Sequence, residues 1–535
     1  MLKHLIAATL AIVMTAGTAQ AGSLSPRLLP VTLSEHAPGA SSGRLLVFAQ
    51  PWEAAVAAHG GQPPTAVDFD FLAPGVAVAA QEITRIAPGE TQWIDADRLA
   101  FPTPFSALKP GAYAVQVVLD VNHDYSYRGR APDDAVSPVM KLEIGVAGPF
   151  PALELVSGHA DNGDPFAPPA GASNDLRAAY AAARSDIDPL NFVSPSLSAF
   201  WGRSIPMRGW VVRPPGYDTA AAGRYPVVYW THGFGEHLNS LGAWAVRFHS
   251  DMATGKTPPM IYVLLDESSA TGTHEFADSA NNGPWGRALT TELIPSLERR
   301  YRMDARPDGR FLTGHSSGGW ATLWLQTRYP KIFGGTWSTA PDPSDFHDFV
   351  GADLYSPNAN VYRRSDGTTN AAARYKGRVV ATFEEFAKLE RVMGAYGGQL
   401  TSFEWVFSPK GADGRPVPMF DRDTGAVDPE VVTYWRDHYD IAWRLARDWP
   451  TLKRDLDGKI HLIVGTADSY YLDGSARRLK AVLESLGAKA QVIFVEGRTH
   501  GNLYAIEGDE TGLEKQIAWA MWAVARPASK LKPRP

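Results

Sequence analysis

The sequence predicts an α/β protein: a doubly wound, mostly parallel sheet, preceded by an N-terminal β-sandwich-like domain and carrying one large cap insertion. Three observations predict it. From about residue 205, strand-like apolar runs alternate with helical periods. Up to about residue 150, short apolar runs are bounded by Gly and Pro clusters, and no helical period persists. Between two stretches of alternation lies a long segment, about 341–454, that a plain α/β core does not need. A length of 535 residues is too great for one compact core and implies about two or three domains, while 44% apolar residues place the chain in the globular range.

The elements follow in order. Met1-Leu2-Lys3-His4 is a short basic start, Leu5 to Gly17 is apolar but too short to span a bilayer comfortably, and Ala19-Gln20-Ala21 has the A-x-A form of a cleavage site. Residues 1–21 are therefore expected to be a bacterial secretory signal peptide. The mature chain would begin at Gly22, be exported to the periplasm or the exterior, and not insert in the membrane once the signal is removed. The chain has no cysteine, which excludes disulfides, a thiol nucleophile and a cysteine-held zinc, and suits large exported domains held by core size.

Residues 22–150 read as the β-sandwich-like accessory domain, with strands at Gly43–Phe48 and Ala112–Leu119. The stretch LDVNHDY briefly resembles a calcium loop through Asp120, Asn122 and Asp124. It lacks the glycine and the closing glutamate at their offsets and reads as a polar turn. Residues 151–204, rich in Ala, Pro, Gly and Asp, read as linker and lead-in with a helix near Asn174–Arg184. The first part of the α/β core spans 205–340, with strands at Tyr225–Trp230, Met260–Leu265 and Gly309–Thr313 and a helix at Leu289–Tyr301. The cap insertion spans 341–454 and holds Trp405, Trp435, Trp443 and Trp449, which either stack on a substrate ring or form the cap's own core. The second part of the core spans 455–526, with strands at Ile460–Val464 and Ala490–Val495 and a helix at Gly474–Leu486. Residues 527–535 are a basic, solvated tail.

Within this frame one short stretch carries chemistry. Gly314-His315-Ser316-Ser317-Gly318 fits G-x-S-x-G, and so does Gly39-Ala40-Ser41-Ser42-Gly43. The second match follows a loop and precedes a strand, so Ser41 is read as a loop residue. The first lies between a strand and the helix predicted over Ser317–Tyr329, where a sharp turn needs small neighbours and presents a serine at a helix N-terminus. A serine hydroxyl attacks only when a base takes its proton. Asp468 follows the strand ending in Val464, and His500 follows the strand ending in Val495, so both stand at the ligand side of the sheet in the order serine, acid, histidine. His500 is expected as general base and Asp468 as its orienting acid. Asp473 is a rival, but it sits just before a helix, where an N-cap is the simpler role. The oxyanion hole is expected from the backbone N–H groups of Ser317 and Phe234, with His232 structural. His315, which points away from the reaction in most such turns, is counted with Gly233 and Trp285 among the residues expected to meet substrate.

Taken together, GWVVRPPGYD (209–218), RYPVVYWTHGFG (224–235), NNGPWGRALTTELIPSLERRYR (281–302), GHSSGGWATLWLQTRYPKIFGG (314–335), GTADSYY (465–471) and GRTHGNLY (497–504) resemble the esterase D-like α/β-hydrolases in content and order. That family includes feruloyl and other carbohydrate esterases, enterochelin esterases, S-formylglutathione hydrolases and mycolyltransferases. The resemblance covers about 205–340 and 455–525, and it implies the α/β-hydrolase fold and Ser316, Asp468 and His500 as the triad. The 341–454 insertion departs from the family pattern.

The expected function is an exported serine esterase that forms an acyl-enzyme on Ser316, acting on a small-molecule or polysaccharide-linked ester such as a feruloyl or acyl ester. An enterochelin-type siderophore esterase and an acyltransferase to a sugar acceptor are the alternatives, and a catalytically dead binding module is a third. No cofactor is expected, and no histidine pair stands at metal-ligand spacing beside a carboxylate. A net charge of −6 with no basic run gives nucleic acid no footing as a partner.

Overall fold

The computed structural model describes residues 28–69, 75–146, 148–156, 163–219 and 222–534. The expected signal peptide, 1–21, lies outside the described residues. Among the described residues no helix is long and apolar enough to cross a membrane.

Eight strands form the main sheet: β1 (Ile187–Val193), β2 (Pro206–Val212), β3 (Val227–Thr231), β4 (Ile261–Leu265), β5 (Arg310–His315), β6 (Gly335–Thr339), β7 (Ile460–Gly465) and β8 (Gln491–Val495). Their spatial order is β1-β2-β4-β3-β5-β6-β7-β8. Only β2 runs against its neighbours; from β3 to β8 every pairing is parallel. Parallel strands need helical crossovers, and these cover both faces. Val228 and Trp230 of β3 join one core with Phe248 and Met521, whereas Val227 and Tyr229 join another with Leu293 and Leu325. This double burial is why VVYWT reads as an unbroken apolar run.

Before this sheet, Leu28–Leu33 is flanked by Thr91–Asp95 and Leu153–Leu155 in a three-stranded sheet, and Ser41–Pro51 and Gly111–Asp120 form the centre of a larger one. Leu29, Val31 and Leu33 share a core with Leu45, Val47, Val115 and Val117, so alternate residues of the larger sheet face the smaller one. The opposite residues, Leu46, Phe48, Val78 and Val118, pack with Leu389, Val392 and Met393 of the helix Phe383–Met393, which lies in the 341–454 insertion. Ser41, read from sequence as a loop residue, is the first residue of a strand in this unit.

Three strands of the main sheet are absent from the sequence reading. β1 contains Pro189 and lies at the sheet's edge, where a missing N–H costs no ladder bond but blurs the strand signal. It also moves the start of the core into the segment taken as linker and lead-in, where the helix Asn174–Arg184 does occur. β2 (PMRGWVV) carries a glycine because a Cβ on Gly209 would lie 2.0 Å from the Leu264 carbonyl oxygen. β6 (GTWST) has no apolar run, yet all five residues are buried. Its hydroxyls are satisfied inside, with Ser338 Oγ donating to Gly319 O and Thr339 Oγ1 to Gly314 O, each at 2.8 Å. At the other end of the insertion, the helix Ile441–Leu456 packs on the helices Ser317–Arg328 and Asp473–Ser485, so it belongs to the layer that covers the sheet.

Candidate active site

The turn between β5 and the helix Ser317–Arg328 holds Ser316 at φ 59°, ψ −125°. A non-glycine residue at positive φ is strained, and here the surroundings over-determine it. Ser316 N–H donates to Thr339 O at 3.1 Å, and its carbonyl accepts from Trp320 N–H at 3.0 Å and Asp342 N–H at 3.2 Å. The flanking glycines are required by close approach: a Cβ on Gly314 would lie 2.3 Å from Thr231 Oγ1, and one on Gly318 would lie 2.4 Å from His232 O. The turn is thus wedged between β3 and β6 and pushes the Ser316 side chain into a cavity of about 490 Å³. That volume fits a small-molecule substrate.

Asp468 and His500 come to the same place from the loops after β7 and β8. His500 Nδ1 pairs with Asp468 Oδ2 at 2.8 Å. Asp468 is fully buried, and its other oxygen accepts from the N–H groups of Tyr470 at 2.9 Å and Leu472 at 3.3 Å. Burial acts against its charge, but the facing His500 ring and these donors hold its carboxyl below the usual range. For His500 burial favours the neutral ring, yet the charge and hydrogen bond of Asp468, with a further contribution from Asp342, hold its pKa above the ordinary imidazole value. Ser316 and His500 both line the cavity; among the described residues Ser316 Oγ makes no hydrogen bond, as is common before substrate binds.

The remaining expected residues divide. Gly233 and Phe234 follow β3 and line the cavity. Among the described residues no backbone acceptor takes the Phe234 N–H. Ser317 is the first residue of its helix, and its hydroxyl donates to Asp342 Oδ2 at 2.6 Å. His232 is fully buried, with Nδ1 on Gly233 O at 2.8 Å and Nε2 accepting from Glu267 N–H at 2.9 Å, a pairing that suits a structural ring. His315 does not point away: its ring lies 4.4 Å from that of His500 and on the cavity wall, and burial, reinforced by the His500 charge, lowers its pKa to about 3 and keeps it neutral. Trp285 is not among the cavity residues. Its ring is buried against His274, with centroids 3.6 Å apart, and its Nε1–H donates to Asn282 O, so it is a core residue rather than a substrate contact. Asp473 is the first residue of the helix Asp473–Ser485, not its cap, and pairs with Arg374 at 3.3 Å and Arg477 at 3.5 Å.

Sequence reasoning missed the cavity's other wall. Phe383, Phe386, Leu400 and Phe403 from the 341–454 segment line it, whereas none of that segment's four tryptophans does. Trp435 and Trp449 are core, and Trp443 lies at the surface under Arg436. Gln399 and Asp342 supply polar groups: Gln399 Nε2–H donates to Asp342 Oδ2 at 3.3 Å. Burial pushes the Asp342 carboxyl up to about 6, against the stabilising hydrogen bond from Ser317. Asp342 had no sequence signal because it follows β6, the strand without an apolar run. Among the described residues no group of three or more His, Cys, Asp or Glu side chains is arranged to hold a metal ion.

Chemically the cavity offers a strained hydroxyl, an imidazole backed by a buried carboxylate, the first turn of a helix and, among the described residues, a Phe234 N–H that no backbone acceptor takes. The family profile named Esterase, described as "Putative esterase", matches residues 202–472. Among characterised proteins, an endo-1,4-beta-xylanase/feruloyl esterase of Xylanibacter ruminicola is 30% identical over 135 residues, covering 23% of this chain and 18% of that protein. Esterase Rv1288 of Mycobacterium tuberculosis is 32% identical over 143 residues, covering 26% of this chain and 30% of that protein. The aligned region thus spans less than a third of either relative's length. Among solved structures, a ferulic acid esterase aligns with a TM-score of 0.37 at 12% identity, covering 64% of this chain and 97% of that one. An S-formylglutathione hydrolase from Staphylococcus aureus aligns with a TM-score of 0.36 at 11% identity, covering 63% and 98%.

Proposed function

The chain belongs to the Esterase family, and from that premise we propose that it is a serine hydrolase of carboxylic esters, with Ser316 as nucleophile, His500 as general base and Asp468 as the orienting acid. The single observation that carries this reading is the 2.8 Å pair between His500 and buried Asp468 at a cavity that also holds the strained Ser316. With His500 Nδ1–H given to Asp468, Nε2 is left as the free base on a ring that lines the cavity.

In this mechanism Ser316 Oγ attacks the ester carbonyl while its proton passes to His500 Nε2. The carbonyl oxygen becomes an oxyanion, held by the N–H groups of Phe234 and Ser317. The tetrahedral adduct collapses, the carbon–oxygen bond to the alcohol breaks, and the alcohol leaves with the proton from His500. Water repeats the sequence on the acyl-enzyme and releases the acid. Asp468 stays ionised and stabilises the imidazolium formed in each half.

The apolar wall of Phe383, Phe386, Leu400 and Phe403 supports an ester with an aryl or extended acyl group, feruloyl esters of polysaccharide among them. We take the two-sheet N-terminal unit as a β-sandwich domain and the 341–454 segment as a cap. The A-x-A pattern at Ala19–Ala21 supports export as a signal-bearing bacterial protein.

The test is hydrolysis of methyl ferulate beside a short-chain nitrophenyl ester, with Ser316→Ala as the blank. Both esters should be cleaved, ferulate in preference, and the variant should lose roughly 10⁶ in kcat while staying folded. Cleavage of the activated ester alone would sink the aryl reading and leave the triad standing. Near-full activity in Ser316→Ala would sink the triad.

A further inference from the structure

The stretch LDVNHDY, left by its sequence as a polar turn, ends the strand Gly111–Asp120 of the N-terminal unit. Its Asp120 carboxylate accepts from Asp124 N–H at 3.3 Å and Tyr125 N–H at 3.1 Å, which folds the chain into the short helix Tyr125–Arg128. That helix delivers Tyr127 to the loop after β3. The Tyr127 hydroxyl donates to Glu236 O at 2.9 Å, and its ring meets the Phe234 ring edge-on, centroids 4.8 Å apart. Tyr127 is 4% exposed. The loop it holds is a tight turn, with Gly235 at φ 86° and Glu236 N–H on Gly233 O at 3.4 Å, so the Gly233–Phe234 peptide, which bears the Phe234 N–H, lies within a turn that Tyr127 holds at the Phe234 ring and at the Glu236 carbonyl.

The same unit grips the insertion. The buried Arg44 guanidinium donates to Val392 O at 2.8 Å and Arg391 O at 3.1 Å, the orphan carbonyls at the end of the helix Phe383–Met393, and also pairs with Glu82. Next to it, a Cβ on Gly397 would lie 3.3 Å from Tyr127 Cβ. Gln399 and Leu400, which line the cavity, begin the next helix one residue further on.

We infer that the N-terminal unit is part of the catalytic apparatus, with Tyr127 as a positioning residue that sets the loop bearing the Phe234 N–H. This deepens the reading of the site given above and depends on it. A loop displaced by about 1 Å can cost 10²-fold in rate, because the donor must meet the oxyanion and not the ground-state carbonyl.

The test compares Tyr127→Phe, which keeps the ring contact and loses only the hydroxyl, with Tyr127→Ala, which loses both. The readouts are kcat and KM on a short-chain nitrophenyl ester, inhibition by phenylboronic acid, and Tm. The boronate adduct on Ser316 places an oxygen where the oxyanion forms. Tyr127→Phe should lower kcat by about 3- to 10-fold and Tyr127→Ala by up to about 100-fold, with KM within about twofold. Boronate affinity should weaken in step with kcat, and the pH profile, set by His500, should not move. The inference is overturned if folded Tyr127→Ala keeps wild-type kcat, or if its kcat falls while boronate affinity is unchanged. An active Ser316→Ala would instead bring down the underlying assignment, so the two failures are told apart.

Discussion

Asp468 and His500 stand in loops after neighbouring strands, which is why two residues 32 apart in sequence meet at 2.8 Å. Their pairing fixes the sign of a pH effect. The base must be neutral to act, and Asp468 raises the pKa of His500, so kcat/KM should be low in acid and rise to a plateau through a midpoint above the ordinary imidazole value of 6.5. Asp468→Asn removes the attraction for the imidazolium and leaves the burial that opposes it. The midpoint should then move down in pH, and kcat should fall by roughly 10⁴-fold through loss of the oriented tautomer. A pH–rate profile with an unmoved midpoint would count against the role of Asp468. At this scale Ser316, Asp468 and His500 were legible as candidates because each follows a strand, in the required order. Trp285, expected to meet substrate, is a core residue, and only its stacking on His274 and its burial reveal that. Asp342 could not be seen at all, since its meaning comes from Ser317 Oγ and from Gln399, 57 residues further on.

Among the elements, the strand–turn–helix at Ser316 was legible because small residues, an apolar strand and a helical period coincide within one stretch. β1, β2 and β6 were not, because their evidence is tertiary: an edge position tolerates Pro189, a crowded neighbour demands Gly209, and internal acceptors satisfy Ser338 and Thr339. The helix Phe383–Met393 shows the same division. Its capping box, Thr382 with Glu385, is readable from sequence, but which partners it meets is not. It turns Leu389, Val392 and Met393 to the N-terminal sheet and Phe383 and Phe386 to the cavity. Phe386 is partly buried and packs against the core, so Phe386→Ala should cost roughly 1 kcal/mol of stability and leave the protein folded. It should raise KM for an aryl ester by about 2- to 12-fold, the loss expected for one aromatic contact, and leave a short acyl ester unaffected. Equal effects on both esters would show that this ring does not meet the acyl group.

Across the whole molecule, one core joins the outer face of the N-terminal sheet to the insertion helix, and Arg44 closes it with two hydrogen bonds to carbonyls. Unfolding followed by tryptophan fluorescence and by circular dichroism should therefore give one shared transition. Arg44→Ala should lower stability by about 2 kcal/mol or more, since hydrogen bonds from a charged donor are lost and buried carbonyls are stranded. Two separate transitions in the unaltered protein would contradict this coupling. The sequence by itself determined the parallel core, the strand–turn–helix at Ser316 and the order of the groups that follow it, because those depend on periodicity and on neighbours within a few residues. The composition of the cavity wall, the structural place of Trp285 and the union of the N-terminal unit with the site were decided only in the tertiary structure. Each depends on contacts between residues far apart in the chain, where close packing and satisfied polar groups, not local pattern, select the partner.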